Sequence, residues 1–326
     1  MKRHKFIKRS LWSALILFAL MNAIAYLHAY KFTHFDRTAN KTKHAKNLSF
    51  GKKVQTLFLG VNNPRPENKK IPDINFETIK LNSNKVIECW SIKADSSKGS
   101  VILFHGYGGE KSSMLDKAHV FLSLGYNALL VDFMGSGGSG GNQTTIGFYE
   151  AEEVKTAFEF LKSKGEKNII LFGTSMGAVA VMKAQNDYQL QVHSIIIECP
   201  FGTMLETVQA RFSSMKVPGF PMANLLVFWG GVQNDFNAFK HNPADYAKSI
   251  TCPVLLLFGE KDDRVSIKET RRIFNNLKGT KKLITYPLAG HENYLNNYKD
   301  EWTNDIKIFI NGAEANNLSG NQSISN

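Results

Sequence analysis

"LFGTSMGAVAV", residues 171–181, sets Ser175 between Gly173 and Gly177, at the end of an apolar run and the head of a helix-like one. A serine there reads as a nucleophile on a sharp strand-to-helix turn, or as a small residue in a tight corner. Gly-x-Ser-x-Gly is too short to decide between them, because both residue types are abundant. The decision rests on the elements around it and on what the rest of the chain supplies.

Outward from Ser175 the chain alternates two textures. "SVILF" (100–104), "NALLVDF" (127–133), "NIILFG" (168–173), "SIIIEC" (194–199), "PVLLLFG" (253–259) and "KKLITYP" (281–287) are short, apolar and β-branched. Between them lie segments with helical spacing, such as "SSMLDKAHVFLSLG", "FYEAEEVKTAFEFLKS" and "MGAVAVMKAQ", and "EWTNDIKIFI" closes the series. Continuous apolar runs alternating with helices predict a mostly parallel sheet covered on both faces, an α/β fold. "NFETIKL" and "KVIECWSIK", split by Asn82-Ser83-Asn84, predict a hairpin ahead of it. Residues 201–245 break the rhythm with "FSSMKVPGFPMANLLVFWGG", an apolar insertion without strand pattern. The tail from 313 to 326, "ANNLSGNQSISN" at its end, is expected to be disordered.

With 43% apolar and 21% charged residues over 326 positions, the chain has the composition of a globular protein with a sizeable core. Its net charge of +12 raises the question of nucleic acid. The distribution answers it: residues 1–70 carry 15 Lys/Arg against 2 Asp/Glu, and residues 71–326 carry 25 against 26. A neutral domain behind a basic arm points to a membrane surface rather than nucleic acid. The arm contains "LWSALILFALMNAIAYLHAY", Leu11–Tyr30, twenty residues without an ionised side chain. In a helix they span about 30 Å, a bilayer's hydrocarbon thickness. Basic residues precede the run, and Trp12, Tyr26 and Tyr30 lie near its ends, where interfacial aromatics belong. The expected layout is a basic N-terminus (1–10), a transmembrane anchor (11–30), a basic linker (31–70), and a catalytic domain (71–312) on the non-cytoplasmic side. Ala23-x-Ala25 keeps a cleaved, secreted form as the alternative. Lys31, Arg37, Lys41, Lys43 and Lys46 follow the run as closely as the first cluster precedes it, so charge alone sets the orientation weakly. Cys89, Cys199 and Cys252 are too few and scattered for a disulfide framework or a metal motif, and read as buried small hydrophobes.

An activated serine needs a base, an acid to orient it, and donors for the oxyanion. "LLLFGEKDDRV" places Asp262 just past a strand and "LAGHENY" places His291 in the loop after the next. The order Ser175, Asp262, His291 places an acid and a base after the serine, at the ends of later strands, as a serine on a strand-to-helix turn requires. Asp263 and Glu198 are the competing acids. The Met176 N–H, at the start of the helix after Ser175, is one expected oxyanion donor. "HGYGG" (105–109) follows "SVILF", and its Tyr107 N–H is the expected second. His105 reads as a loop-structuring residue. Gly135-x-Gly137-x-x-Gly140 satisfies the dinucleotide fingerprint literally, but no helix opens directly after it and Lys155 stands where an acidic residue belongs. It reads as a loop beside the active site, and no cofactor or metal is expected.

These motifs carry a resemblance. From about residue 75 to 311 the chain resembles the α/β-hydrolase superfamily, closest to its monoacylglycerol-lipase-like, serine-aminopeptidase-like and depalmitoylase-like lineage, through "HGYGG", "DFMGSGGS", "GTSMG", "GEKDDRV" and "GHEN" in order. The resemblance implies a Ser175–His291–Asp262 triad, Tyr107 and Met176 as oxyanion donors, and an insertion that caps the active site. Met134 departs from it, standing where many relatives have Arg. The expected function is hydrolysis of carboxylic esters or thioesters with an apolar acyl group. A peptidase on the same triad, and a silent binding module on the same fold, are the alternatives.

Overall fold

The computed structural model describes residues 2–37 and 49–322; Lys41, Lys43 and Lys46, weighed above for membrane orientation, lie outside them. The uncharged run Leu11–Tyr30 falls within α1 (Lys2–Thr33), and its stretch His4–Thr33 is long and apolar enough to cross a membrane. The segment expected as linker holds a second helix, α2 (Phe50–Leu59). In the sequence its apolar residues are outweighed by the surrounding Lys and Asn, so the segment reads as linker.

β1 (Phe76–Asn82) and β2 (Val86–Ile92) form the predicted hairpin. β3 (Ser100–Phe104) follows, then α3 (Leu115–Ser123), β4 (Asn127–Asp132) and α4 (Glu150–Ser163). β5 (Ile169–Thr174) runs into α5 (Met176–Tyr188), and β6 (Ser194–Glu198) comes next. The insertion is helical, with α6 (Met204–Ser214) and α7 (Met222–Gln233). After α8 (Pro243–Tyr246) the chain returns through β7 (Val254–Gly259), α9 (Ile267–Asn276), β8 (Lys281–Tyr286) and α10 (Lys299–Gln322). The tail expected to be disordered from residue 313 is helical as far as Gln322, and residues 323–326 lie outside the described residues.

The eight strands form one sheet in the order β1-β2-β4-β3-β5-β6-β7-β8. β1, β2 and β4 pair antiparallel; from β4 to β8 every pairing is parallel. Every residue of β3, β6 and β7 is buried, as continuous apolar strands require when helices cover both faces. The crossovers place α5 and α10 among the covering layers, and Trp302 of α10 packs edge-on against Phe121 and Phe172. α9 starts at a capping box, the Ser266 side chain accepting from the Glu269 N–H while Glu269 reaches back to the Ser266 N–H.

The chain divides into two compact units. One contains residues 65–203 and 242–326, with the whole sheet; the other combines residues 1–64 with the insertion residues 204–241. In this second unit α1 packs against α7, and Arg211 of α6 lies 4.2 Å over the Phe32 ring. The sequence carries no sign of that partnership, since each segment reads as apolar on its own.

Candidate active site

The run of β5 into α5 makes a sharp turn at Ser175, whose φ of 51° and ψ of −111° lie outside the ordinary regions for a side-chain-bearing residue. The flanking glycines are required by space. A Cβ at Gly173 would lie 2.6 Å from the backbone of Gly177 and Ala178, and one at Gly177 would lie 2.3 Å from the Phe104 carbonyl oxygen. The turn is pinned from the next strand, for the Ser175 N–H donates to the Glu198 carbonyl at 2.8 Å.

The three side chains predicted from the sequence meet here. His291 Nε2 lies 3.0 Å from Ser175 Oγ. Its Nδ1 lies 2.8 Å from Asp262 Oδ2. The other Asp262 oxygen accepts the Arg264 and Val265 N–H groups at 2.8 and 2.9 Å, which fixes the carboxylate in its loop. Neither competing acid is hydrogen-bonded to His291. Glu198 is fully buried and accepts from Thr174 Oγ1 at 2.9 Å and from Trp302 Nε1 at 2.7 Å. Burial disfavours the imidazolium of His291, but the Cys199 sulfur and the Asp262 carboxylate outweigh it and hold the ring above its ordinary pKa.

Loop 105–109 lies against the same turn: a Cβ at Gly106 would come 3.4 Å from the Thr174 carbonyl oxygen and 3.6 Å from Ser175 Cβ. Tyr107 sits at the second position of a tight turn closed by the Gly109 N–H on the Gly106 carbonyl at 3.1 Å. Met176, at the first helical position of α5, has one of the N–H groups that no intrahelical carbonyl reaches. His105 is fully buried, and its Nε2 accepts the Phe133 N–H at 3.1 Å. Burial pushes its pKa down and keeps it neutral, so it ties the loop to the end of β4.

Three residues around the site escaped the sequence reading. Cys199, read there as a small hydrophobe, is buried, but it holds a φ of 41° just after β6, and its thiol faces His291 and Tyr294. Its ligand atom and those of Asp262 and His291 lie within 4.8 Å of one another, making these three a group that could hold a metal ion among the described residues. Lys117 is buried 3.6 Å from Glu198, and its Nζ donates to Asn293 Oδ1 at 2.5 Å. Asn293 also donates to Asp116 and is two residues beyond His291. Only Asn293 had a local signal, through "GHEN"; nothing near Lys117 or Cys199 in the chain marks either as a neighbour of the histidine.

The glycine-rich loop 135–140 does not offer the free donors of a phosphate cradle. The N–H groups of Gly135, Gly137 and Gly138 donate to the Gly140 carbonyl, the Pro66 carbonyl and Asp132 Oδ2 respectively. A Cβ at Gly137 would overlap the Asp132 carboxylate at 1.8 Å. Arg65 straps the loop from outside, donating to the Gly137 and Ser139 carbonyls at 2.7 and 2.5 Å. Met134 is buried at the loop's start, its N–H bonded to Glu153 Oε2 at 2.9 Å.

Comparison with known proteins bears on the fold that carries this site. Residues 95–248 match the family model described as serine aminopeptidase, S33. The chain is 28% identical over 201 residues to the uncharacterized protein YqkD of Bacillus subtilis, covering 60% of this chain and 66% of that one. It is 26% identical over 196 residues to the lysophosphatidylserine lipase ABHD12 of Mus musculus, covering 58% and 48%. The chain thus spans less than two thirds of the length of these relatives. Among solved structures, the Pyrococcus furiosus esterase Pf2001 superposes with a TM-score of 0.62 at 22% identity, covering 77% of this chain and 98% of that one. The sheet order, the turn at Ser175 and these likenesses agree: the chain has the α/β-hydrolase fold and is similar to serine hydrolases built on it.

Proposed function

We propose that this protein is a membrane-anchored serine hydrolase that cleaves carboxylic esters or thioesters through an acyl-enzyme. The observation that carries the reading is the continuous hydrogen-bonded chain from Asp262 through His291 to Ser175. In this mechanism His291 Nε2 takes the Ser175 proton as Oγ attacks the acyl carbonyl. The oxyanion that forms is met by the N–H groups of Met176 and Tyr107. Asp262 holds the ring with its Nδ1 proton inward and stabilises the imidazolium. Collapse expels the alcohol or thiol, which leaves with the proton from His291. Water then repeats the sequence on the acyl-serine, and Ser175 recovers its proton. These steps balance without a cofactor.

An apolar acyl group is the proposed substrate feature, supported by the lipase and esterase relatives and by the anchor. α1 is proposed as a single crossing, with the basic residues before Leu11 in the cytoplasm and the catalytic residues on the far side. The test is hydrolysis of nitrophenyl esters of increasing chain length by the full chain in detergent, beside Ser175→Ala. Turnover that depends on Ser175 supports the triad, and its chain-length optimum sizes the acyl site. Equal turnover by the variant would remove it.

A peptidase is the second reading. It is favoured by the description of the matching family and by similarity to the acylamino-acid-releasing enzyme of Rattus norvegicus, 23% identical over 250 residues. Aminoacyl and acylaminoacyl nitroanilides offered to the same preparation separate the two.

A further inference from the structure

The packing of α1 against α7 fixes where the insertion lies if α1 crosses a membrane. Lys8 and Arg9 set the earliest point at which a span can begin, so it starts at Ser10 or later. Even a short span of about 17 residues from Ser10 then reaches Tyr26. Residues 11–20 are exposed on every side, but from there on α1 is a packed helix, with Ala25, Ala29 and Thr33 buried at four-residue spacing. Its partner over Asn22–Tyr26 is α7. Trp229 Nε1 donates to Asn22 Oδ1 at 3.1 Å, the Trp229 and Tyr26 rings meet edge-on at 5.3 Å, and Gln233 Nε2 donates to the Tyr26 carbonyl at 2.8 Å. Asn22 is eight residues from Tyr30, so along the helix Trp229 sits about 12 Å inside the uncharged stretch.

We propose that α7 is a second membrane-embedded element, seated among the acyl chains of the leaflet that holds the C-terminal half of α1. The proposal rests on the reading of α1 as the anchor. The composition of α7 suits that position, since residues 217–234 carry no ionised side chain while Lys216 and Asp235 bound them. Phe228 and Val232 are about half exposed on α7, and Phe220 before it is 78% exposed, an apolar surface turned outward beside a helix long enough to span. Asn22, the polar side chain of α1 at this depth, is paired inside the protein, as lipid demands. Asn22 accepts from Trp229 and donates to the Phe18 carbonyl at 2.9 Å. The occupant of the outward face is therefore the hydrocarbon of one leaflet.

Tryptophan fluorescence of the full chain in phosphatidylcholine vesicles, with and without acyl-chain bromination, tests this. Trp90 and Trp302 are buried in the sheet-bearing unit, so Trp12→Phe leaves Trp229 as the responsive reporter, and Trp229→Phe leaves Trp12. The expected result is bromine quenching in both variants, abolished in the double variant. Phe228→Trp added to Trp12→Phe places a further reporter on α7 without disturbing the Trp229–Asn22 bond, and should enlarge the quenched fraction. Quenching of Trp12, with none of Trp229 and none added by Phe228→Trp, would overturn the proposal and leave the anchor standing. Quenching of neither Trp12 nor Trp229 would instead remove the anchor itself.

Discussion

The Ser175 N–H donates to the Glu198 carbonyl, and the Glu198 side chain is at the same time the buried acceptor for Thr174 and Trp302, 3.6 Å from Lys117. Glu198 thus supports the nucleophile turn from its own strand without touching His291. Glu198→Ala leaves Lys117 buried without its carboxylate, a loss of about 3–5 kcal/mol by the usual cost of breaking a buried pair. Urea denaturation should register it. Asp262→Asn should do the reverse, with near-normal stability and a fall in kcat of about 10⁴ through the wrong histidine tautomer. Asp263→Asn should leave kcat nearly unchanged; if it produced the larger loss, the acid would be the next residue along.

The conformation of Ser175 costs stability that a glycine would not lose. A positive φ with a side chain costs about 1–3 kcal/mol. Ser175→Gly should therefore raise the melting temperature while removing turnover. Ser175→Ala should lose turnover equally with no such gain, because it retains Cβ. Calorimetry on the two variants checks the difference, and a lower melting temperature for the glycine variant would contradict the strain assigned to the turn.

The pH profile follows from His291. As a base it works neutral, and its pKa is held above the ordinary 6.5, so kcat/KM should climb with pH through a limb on the alkaline side of that value. Cys199→Ala removes one of the influences that raise it and should move the limb to lower pH. An unmoved limb would mean the sulfur has no hold on the ring.

Glu153 is fully buried beside Glu150, and burial first and that neighbour second raise its pKa well above the ordinary 4.5. The folded state therefore keeps a proton the unfolded state has released. Stability falls as pH rises above 4.5, by about 1.4 kcal/mol per unit until the folded pKa is reached. Glu153→Gln has the shape of the protonated acid and no proton to lose. It should be more stable than the parent at about pH 8 and equal to it at about pH 4, read from denaturation midpoints at the two values.

How the sequence relates to this structure depends on the range over which each feature is encoded. Strands β3 to β7 were legible because burial on both faces leaves a continuous apolar run, and α5 because its start is tied to the turn at Ser175. The meeting of Ser175, Asp262 and His291 was legible because each lies just past a strand that the alternating pattern predicts. The insertion's apolar residues were legible as apolar only. That α7 meets α1, that Lys117 reaches Asn293 beside the histidine loop, and that Cys199 turns its thiol toward His291 are contacts across 207, 176 and 92 positions of chain. Local propensity and periodicity say which face of an element is apolar, but the partner of that face is chosen by packing. By itself the sequence determined the sheet, its helices and the residues at its strand ends; the tertiary structure decided which acid faces the base, what lies behind the site and what the N-terminal helix packs against.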